Sequence, residues 1–176
     1  MGIDDRLGKN VADPAKFHYV FNLRDLSRIW EGILFIKKEE LQTVNTALKL
    51  WFHECLRVIS DRFTTFDDKD WFVANFWKTA SQELSEYVAE FPEGETFFVN
   101  FLREPVDPTG DEEEDFSTDA PKIYEELPSW DYVLSKLAGF QELFNEQIRG
   151  AHLDLVFFHD AMVHLFITSR IICTPR

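Results

Sequence analysis

The feature that most restricts how this chain can fold is a spacing of three to four residues between large apolar side chains, repeated in four separate stretches. Leu41, Val44, Leu48, Trp51, Cys55 and Val58 keep that spacing, which winds them onto one face of a helix and does not fit the two-residue alternation of a strand. Leu23, Leu26, Ile29, Trp30, Ile33 and Leu34 form a similar set ahead of them. Trp71, Phe72, Phe76 and Leu84 follow, and then Trp130, Leu134, Leu137, Phe140, Phe144 and Ile148. Apolar residues make up 45% of the 176, with 18 Phe and 5 Trp, so there is enough apolar volume to pack these faces together. The expected fold class is mainly α.

Local signals set the element boundaries. Asn22 is a good N-cap for a helix over 22–35. A second helix is expected over 39–63, supported by Glu54–Arg57 and Arg57–Asp61 pairs at helical spacing. Asp67, Asp68 and Asp70 suit the first turn of a third, where the helix dipole favours anions. Phe91-Pro92-Glu93-Gly94 breaks it. Ser129 caps a fourth helix that Arg149-Gly150 ends. A last helix begins at Phe158 or His159, with Asp160 as its cap, and runs to Ile172 before Thr174-Pro175. The apolar run Thr96–Leu102 fits a strand or a buried extended segment, and periodicity does not choose between them.

Charge is unevenly distributed. The net charge is −14, yet residues 1–80 hold 12 acids and 12 bases, and residues 132–176 hold four of each. Residues 81–131 hold 16 acids against Arg103 and Lys122 alone. Within them, 104–119 carries eight acids, two prolines and no base, the composition of a solvated loop. A nucleic-acid partner or an anionic membrane surface would need a basic face, so neither is expected. No apolar run is long enough to span a membrane. Met1-Gly2 is not a myristoylation start, because position 6 is Arg where Ser or Thr is wanted. Cys55 and Cys173 lack metal or redox spacing and suit a reducing compartment.

Catalytic constellations are missing from the sequence. GxxxxGK[ST], the loop that cradles phosphates, does not occur, and neither does GxGxxG. His53-Glu54-Cys55 lacks the second histidine of HExxH, while His159 and His164 are splayed by a five-residue spacing. The acidic loop lacks the alternation of a calcium loop. No metal site is expected, and the chain alone is expected to be non-catalytic.

One stretch does carry a chemical signal. In HYVFNLRDLSRIWEGIL (18–34) Arg24 falls in the first helical turn, where the dipole disfavours a cation. No acid stands three or four residues from it on either side, whereas Arg28 can pair with Glu31. A guanidinium beside the N–H groups of a helix start is a seat for a phosphate; the bland alternative is an ordinary solvated or ion-paired arginine.

The string FHYVFNLRDLSRIWEGIL resembles the opening of the small helical lid in the motor ring of axonemal-type dynein heavy chains. LWFHECLRVISDRF (50–63) is similar to that family's next helix, and DLVFFHDAMVHLFITSRIICTPR (154–176) to the segment leading into the following ring module. The resemblance implies a helical AAA+ lid bundle with an acidic loop, then two helices leading into the next module. Residues 1–13 would be a leader, 14–103 the lid of the third module, 104–121 the acidic linker, and 122–176 the start of the fourth module ahead of its phosphate loop. It also implies that Arg24, with Arg28 as the second choice, touches the terminal phosphate of a nucleotide held elsewhere in a longer chain. Leu155, Val156 and Phe157 would border the adenine pocket of the next module, with plain core packing as the competing role for these side chains.

The function implied is a fragment of a motor ring that couples ATP state to movement along microtubules, without a complete ATPase site of its own. ATP or ADP with Mg would belong to the parent motor and not to this chain alone. Its partners would be neighbouring AAA+ subdomains, and through the parent motor the intermediate chains, light chains and microtubules. Its place would be the cytoplasm, in the cytoskeleton of a ciliary or flagellar axoneme. The alternative is a free-standing helical protein-interaction module. Apolar faces at Trp130, Phe144 and Phe157 would lack partners in an isolated chain, so self-association is also expected.

Overall fold

The computed structural model describes residues 19–86, 96–103, 122–148, 150 and 152–173. The leader 1–13, the breaker at 91–94, the acidic stretch 104–121, Arg149 and Thr174-Pro175 lie outside the described residues. The described residues are dominated by helices and fall into two units. One consists of residues 19–34 and 42–86; the other of 35–41, 96–103, 122–148, 150 and 152–173. The division is not contiguous along the chain, because 35–41 leaves the first unit and packs in the second.

In the first unit, helix α1 (Leu23–Ile33) starts at Asn22, whose side chain accepts the N–H groups of Arg24 and Asp25. Asp25 returns the favour by accepting the Asn22 N–H at 3.0 Å, which completes a capping box. Helix α2 (Val44–Val58) is shorter than its apolar spacing predicts. Thr43 accepts the Thr46 N–H and so fixes the start five residues late. Leu41, counted on its face, is part of the excursion into the second unit.

A 3₁₀ turn (Ser60–Arg62) leads into α3 (Phe66–Leu84), capped by Thr65; Asp67 and Asp68 stand in its first turn, as the sequence predicts, while Asp70 falls beyond it. Ile29, Cys55 and Val58 are buried together, with Ile33, Trp51, Phe72 and Phe76 packed against them. Tyr19 fastens the other end of the unit. Its hydroxyl accepts the Thr64 N–H at 2.8 Å and donates to Asp68 Oδ2 at 3.0 Å, while its ring lies 4.8 Å from Phe63.

In the second unit the run Thr96–Leu102 is a buried extended segment with a two-residue strand, β1 (Phe98–Val99), at its centre. It pairs antiparallel with β2 (Glu125–Glu126), Phe98 opposite Glu126 and Val99 opposite Glu125. Ile36 forms a parallel bridge to Tyr124 just before β2. Helix α4 (Trp130–Gln147) is capped by Ser129, and α5 spans His159–Cys173. Gly150, just past α4, takes φ +99°, a left-handed conformation that glycine adopts without strain.

The core of this unit gathers Phe97, Val99, Leu102, Val133, Leu137, Met162 and Phe166. Val133 is completely buried, whereas Leu134, Phe140 and Ile148 are exposed. The inward face of α4 thus runs through Trp130, Val133 and Leu137, not the full stripe that spacing alone predicts. Asp160 is also displaced from its expected role: it stands inside the first turn of α5, after His159.

Candidate functional site

The start of α1 holds the residues on which a phosphate contact would depend. Its inward side is Asp25, Ile29 and Gly32, all buried. Leu23 (81% exposed), Leu26, Trp30 (56%) and Leu34 (79%) face solvent, which corrects the single apolar face expected for this helix. At 100° per residue Asp25, Ile29 and Gly32 cluster on one side, and Leu23, Leu26, Trp30 and Leu34 on the opposite one. The apolar stripe is thus split: its Ile29 edge is buried, and its Leu23, Leu26, Trp30 and Leu34 edge is outside.

Asp25 is the electrostatic centre of this end. Only 6% exposed, it accepts the Asn22 N–H and forms an ion pair with Arg62, 37 positions later. The Arg62 hydrogen bond, then the Asn22 N–H, holds its carboxyl below the ordinary range, outweighing the opposing effect of burial. Arg28 Nη1 approaches the same carboxylate at 3.6 Å. Arg28 therefore turns back to Asp25 and not forward to Glu31, because Asp25 is fixed by its cap and the pair forms without ordering a second mobile carboxylate. The Arg62 guanidinium also lies 5.3 Å from the Phe21 ring centroid, a cation–π arrangement.

Arg24 is exposed, and among the described residues its guanidinium makes no ion pair. The N–H groups of Arg24 and Asp25 are both taken by Asn22 Oδ1, at 2.9 and 3.3 Å. The helix start therefore offers an anion the Arg24 side chain rather than the backbone seat that the sequence suggested. Arg24 and Arg28 share one flank of α1, next to the Asp25 side and away from the exposed apolar edge.

Leu155, Val156 and Phe157 do not act as one group. The link between α4 and α5 is held by Asn145, which donates to the Leu153 carbonyl and accepts its N–H at 2.8 and 2.7 Å. The Leu155 N–H donates to Gln141 Oε1 at 3.2 Å. Phe157 packs against the core of the second unit, while Leu155 (52% exposed) and Val156 (80%) face outward. Arg24 belongs to the first unit and Leu155, Val156 and Phe157 to the second.

The second unit also contains a cleft of about 350 Å³ lined by Phe35, Phe98, Tyr124, Phe166, Lys122 and Arg170 among others. Sequence reasoning did not single it out, since its walls come from four segments remote in the chain. Asp25 and Arg62 were missed for the same reason, although Asn22-x-x-Asp25 carries the spacing of a capping box. Among the described residues, no three His, Cys, Asp or Glu are grouped to hold a metal, and no helix is long and apolar enough to cross a membrane.

Residues 9–85 match the family model of the AAA+ lid domain. The chain is 52% identical over 166 residues to dynein axonemal heavy chain 8 of Homo sapiens, an alignment covering 94% of this chain and 4% of that protein. It is 45% identical over 170 residues to dynein axonemal heavy chain 5 of Mus musculus, covering 96% and 4%. It is 31% identical over 183 residues to the dynein gamma chain of the flagellar outer arm of Chlamydomonas reinhardtii, covering 95% and 4%. The chain thus spans a small fraction of the length of the relatives it matches. The aligned stretch contains the capped helix start, the exposed Arg24 and the helical bundle built on them, and over that stretch this chain belongs to the dynein heavy chain family, with an AAA+ lid as its N-terminal part.

Proposed function

We propose that this chain is the lid of the third AAA+ module and the start of the fourth in an axonemal-type dynein heavy chain, with the module boundary in 104–121. Its work is mechanical: helices that follow the nucleotide state of a site completed by other parts of the polypeptide, within a motor that moves along microtubules. The observation that carries this reading is the solvent-facing edge of α1. An arginine without an ion pair among the described residues and, on another flank, four large apolar side chains are exposed on a helix whose inward side is already satisfied. A self-sufficient bundle has little use for that arrangement, whereas half of a nucleotide site needs it.

In this reading Arg24 holds phosphate oxygens of ATP or ADP, bound with Mg by the preceding large subdomain. The guanidinium suits the task because it stays charged and offers a fork of donors. Arg28 is second choice, since it already faces Asp25. Closing the lid would cover Leu23, Leu26 and Trp30 and tie that burial to the phosphate contact. Leu155 and Val156 are free to rim an adenine pocket of the next module; Phe157 serves the core. The neighbouring ring subdomains would be direct partners. Intermediate chains, light chains and microtubules would be reached through the whole motor, in the cytoplasm at the axoneme.

The test is nucleotide binding by the heavy chain that carries this segment. Arg24→Ala should weaken ATP binding at the third module by roughly tenfold to a hundredfold, the scale of a charge-assisted hydrogen bond. Arg28→Ala should change it little. Loss in Arg28→Ala alone would transfer the role to Arg28, and unchanged binding in both would overturn the assignment.

A further inference from the structure

Residues 35–41 join α1 to α2, two helices of the first unit, yet they pack in the second. Backbone pairing alone holds them weakly, through the single parallel bridge between Ile36 and Tyr124. Side chains add the rest. The Phe35 ring meets Tyr124 edge-on, with centroids 6.2 Å apart. Turns that bond the Glu40 N–H to the Lys37 carbonyl and the Leu41 N–H to the Lys38 carbonyl hold Glu40 close to Arg103. Arg103, just after the buried run, grips β2 with a fork: Nε to Glu125 Oε1 at 2.7 Å and Nη2 to Glu125 Oε2 at 2.6 Å. The same Nη2 reaches Glu40 Oε1 at 2.8 Å. One guanidinium thus links the excursion, β2 and the segment after β1, a geometry that a lysine's point charge does not reproduce.

We propose that residues 35–41 are a strap belonging mechanically to the second unit, and that Arg103 is the positioning residue that latches it through Glu40 and Glu125. Leu34, the C-cap of α1, is covalently followed by the first strap residue. The residue after α1 thus begins a segment that is itself held by Tyr124 and Arg103 and is not a free loop. This inference extends the coupling role above but stands on the ion-pair geometry alone, and no nucleotide enters its test, so its failure and that of the Arg24 reading are distinct.

Hydrogen exchange on the full chain supplies the test. In Arg103→Ala, amides of 35–41 should exchange roughly fivefold faster, while those of 44–58 and 130–147 keep their rates. Arg103→Lys should fall between wild type and alanine, because it keeps the charge and loses the fork. The proposal is overturned if the strap exchanges at wild-type rates in Arg103→Ala, or if acceleration spreads evenly over both units. Should Arg103→Ala fail to fold, Glu40→Gln cuts one arm only: about twofold faster exchange confined to 35–41 supports the latch, and no change overturns it.

Discussion

Each unit of this molecule is anchored by an arginine bound to a carboxylate, and the two anchors differ in burial and in what they join. Asp25 is buried in the first unit, where it closes a capping box and meets Arg62 across the bundle. Arg103 in the second unit has a side chain 43% exposed and grips Glu125 and Glu40, which are 15% and 28% exposed. A buried anion cannot lose its partner without leaving a desolvated charge, whereas carboxylates that water still reaches, beside a half-exposed arginine, lose less. The first pair should therefore decide whether its unit is folded. The second should decide only where one short segment lies.

The comparison breaks most directly at Asp25. Asp25→Ala removes the cap from the Asn22 N–H and leaves Arg62 without its carboxylate. The expected cost is about 2–3 kcal/mol, near the lower end for breaking a buried pair because Arg62 itself is partly exposed. Urea titration of the first unit's tryptophan signal would measure it, and a loss under about 0.5 kcal/mol would remove Asp25 from its central place.

One cysteine lies in each unit and reports on it separately. Cys55 is buried in the first unit's core, and burial, then the neighbouring Glu54, pushes its thiol up to about 12. Its thiolate is scarce at neutral pH, so labelling must proceed through opening of the unit. Cys173 is exposed and should react at once. A loss of about 2 kcal/mol in Asp25→Ala should raise the Cys55 labelling rate roughly 30-fold and leave Cys173 unchanged, as mass spectrometry of timed samples would show. Equal acceleration at both thiols would mean that the two units open together.

Acid sharpens the same point. Because the folded Asp25 carboxyl lies below its ordinary value, its contribution is fully present above the unfolded carboxylate range and is lost as pH falls through the folded value. Wild type should lose stability between about pH 5 and pH 2 more steeply than Asp25→Asn, whose side chain does not titrate. Subtracting the two profiles cancels what the other acids contribute. Parallel profiles would show that Asp25 does not drive the acid transition.

These anchors also mark how far the sequence could be read. Helix existence, the Asn22 and Ser129 caps and the acidic first turn at Asp67 and Asp68 follow from spacing and capping chemistry, which are local, whereas the strand-or-extended alternative at Thr96–Leu102 does not resolve from spacing. The inward face of α1 was misread, because a hydrophobic edge at helical spacing is equally compatible with the core and with a partner outside it. Val133 was passed over for Leu134 since adjacent residues both satisfy a coarse helical count, and only packing against Met162 and Phe166 decides. The strap was hidden because 35–41 reads as the approach to a helix, while its partners Arg103 and Tyr124 come from residues 60 to 90 positions later. Arg24 was legible as an ill-placed cation, but the occupation of its neighbouring N–H groups by Asn22 required coordinates.

The smallest effect expected is also the one that isolates the second anchor. Arg103→Ala removes three hydrogen bonds, yet Arg103 is 43% exposed and Glu125 and Glu40 keep 15% and 28% of their side chains open, so water can partly replace the guanidinium. The core of its unit, built from Phe97, Val99, Leu102, Val133, Leu137, Met162 and Phe166, includes none of these three side chains. The urea midpoint should therefore move within experimental scatter, with both units unfolding as in wild type. Rising salt should narrow even that difference, since exposed pairs are screened over about 10 Å at 0.1 M. A midpoint shift as large as that of Asp25→Ala would mean that the strap supports the fold and does not merely sit on it. A null shift, beside faster exchange in 35–41, would separate the two arginines by role: one holds a unit together, and the other holds a connection in place.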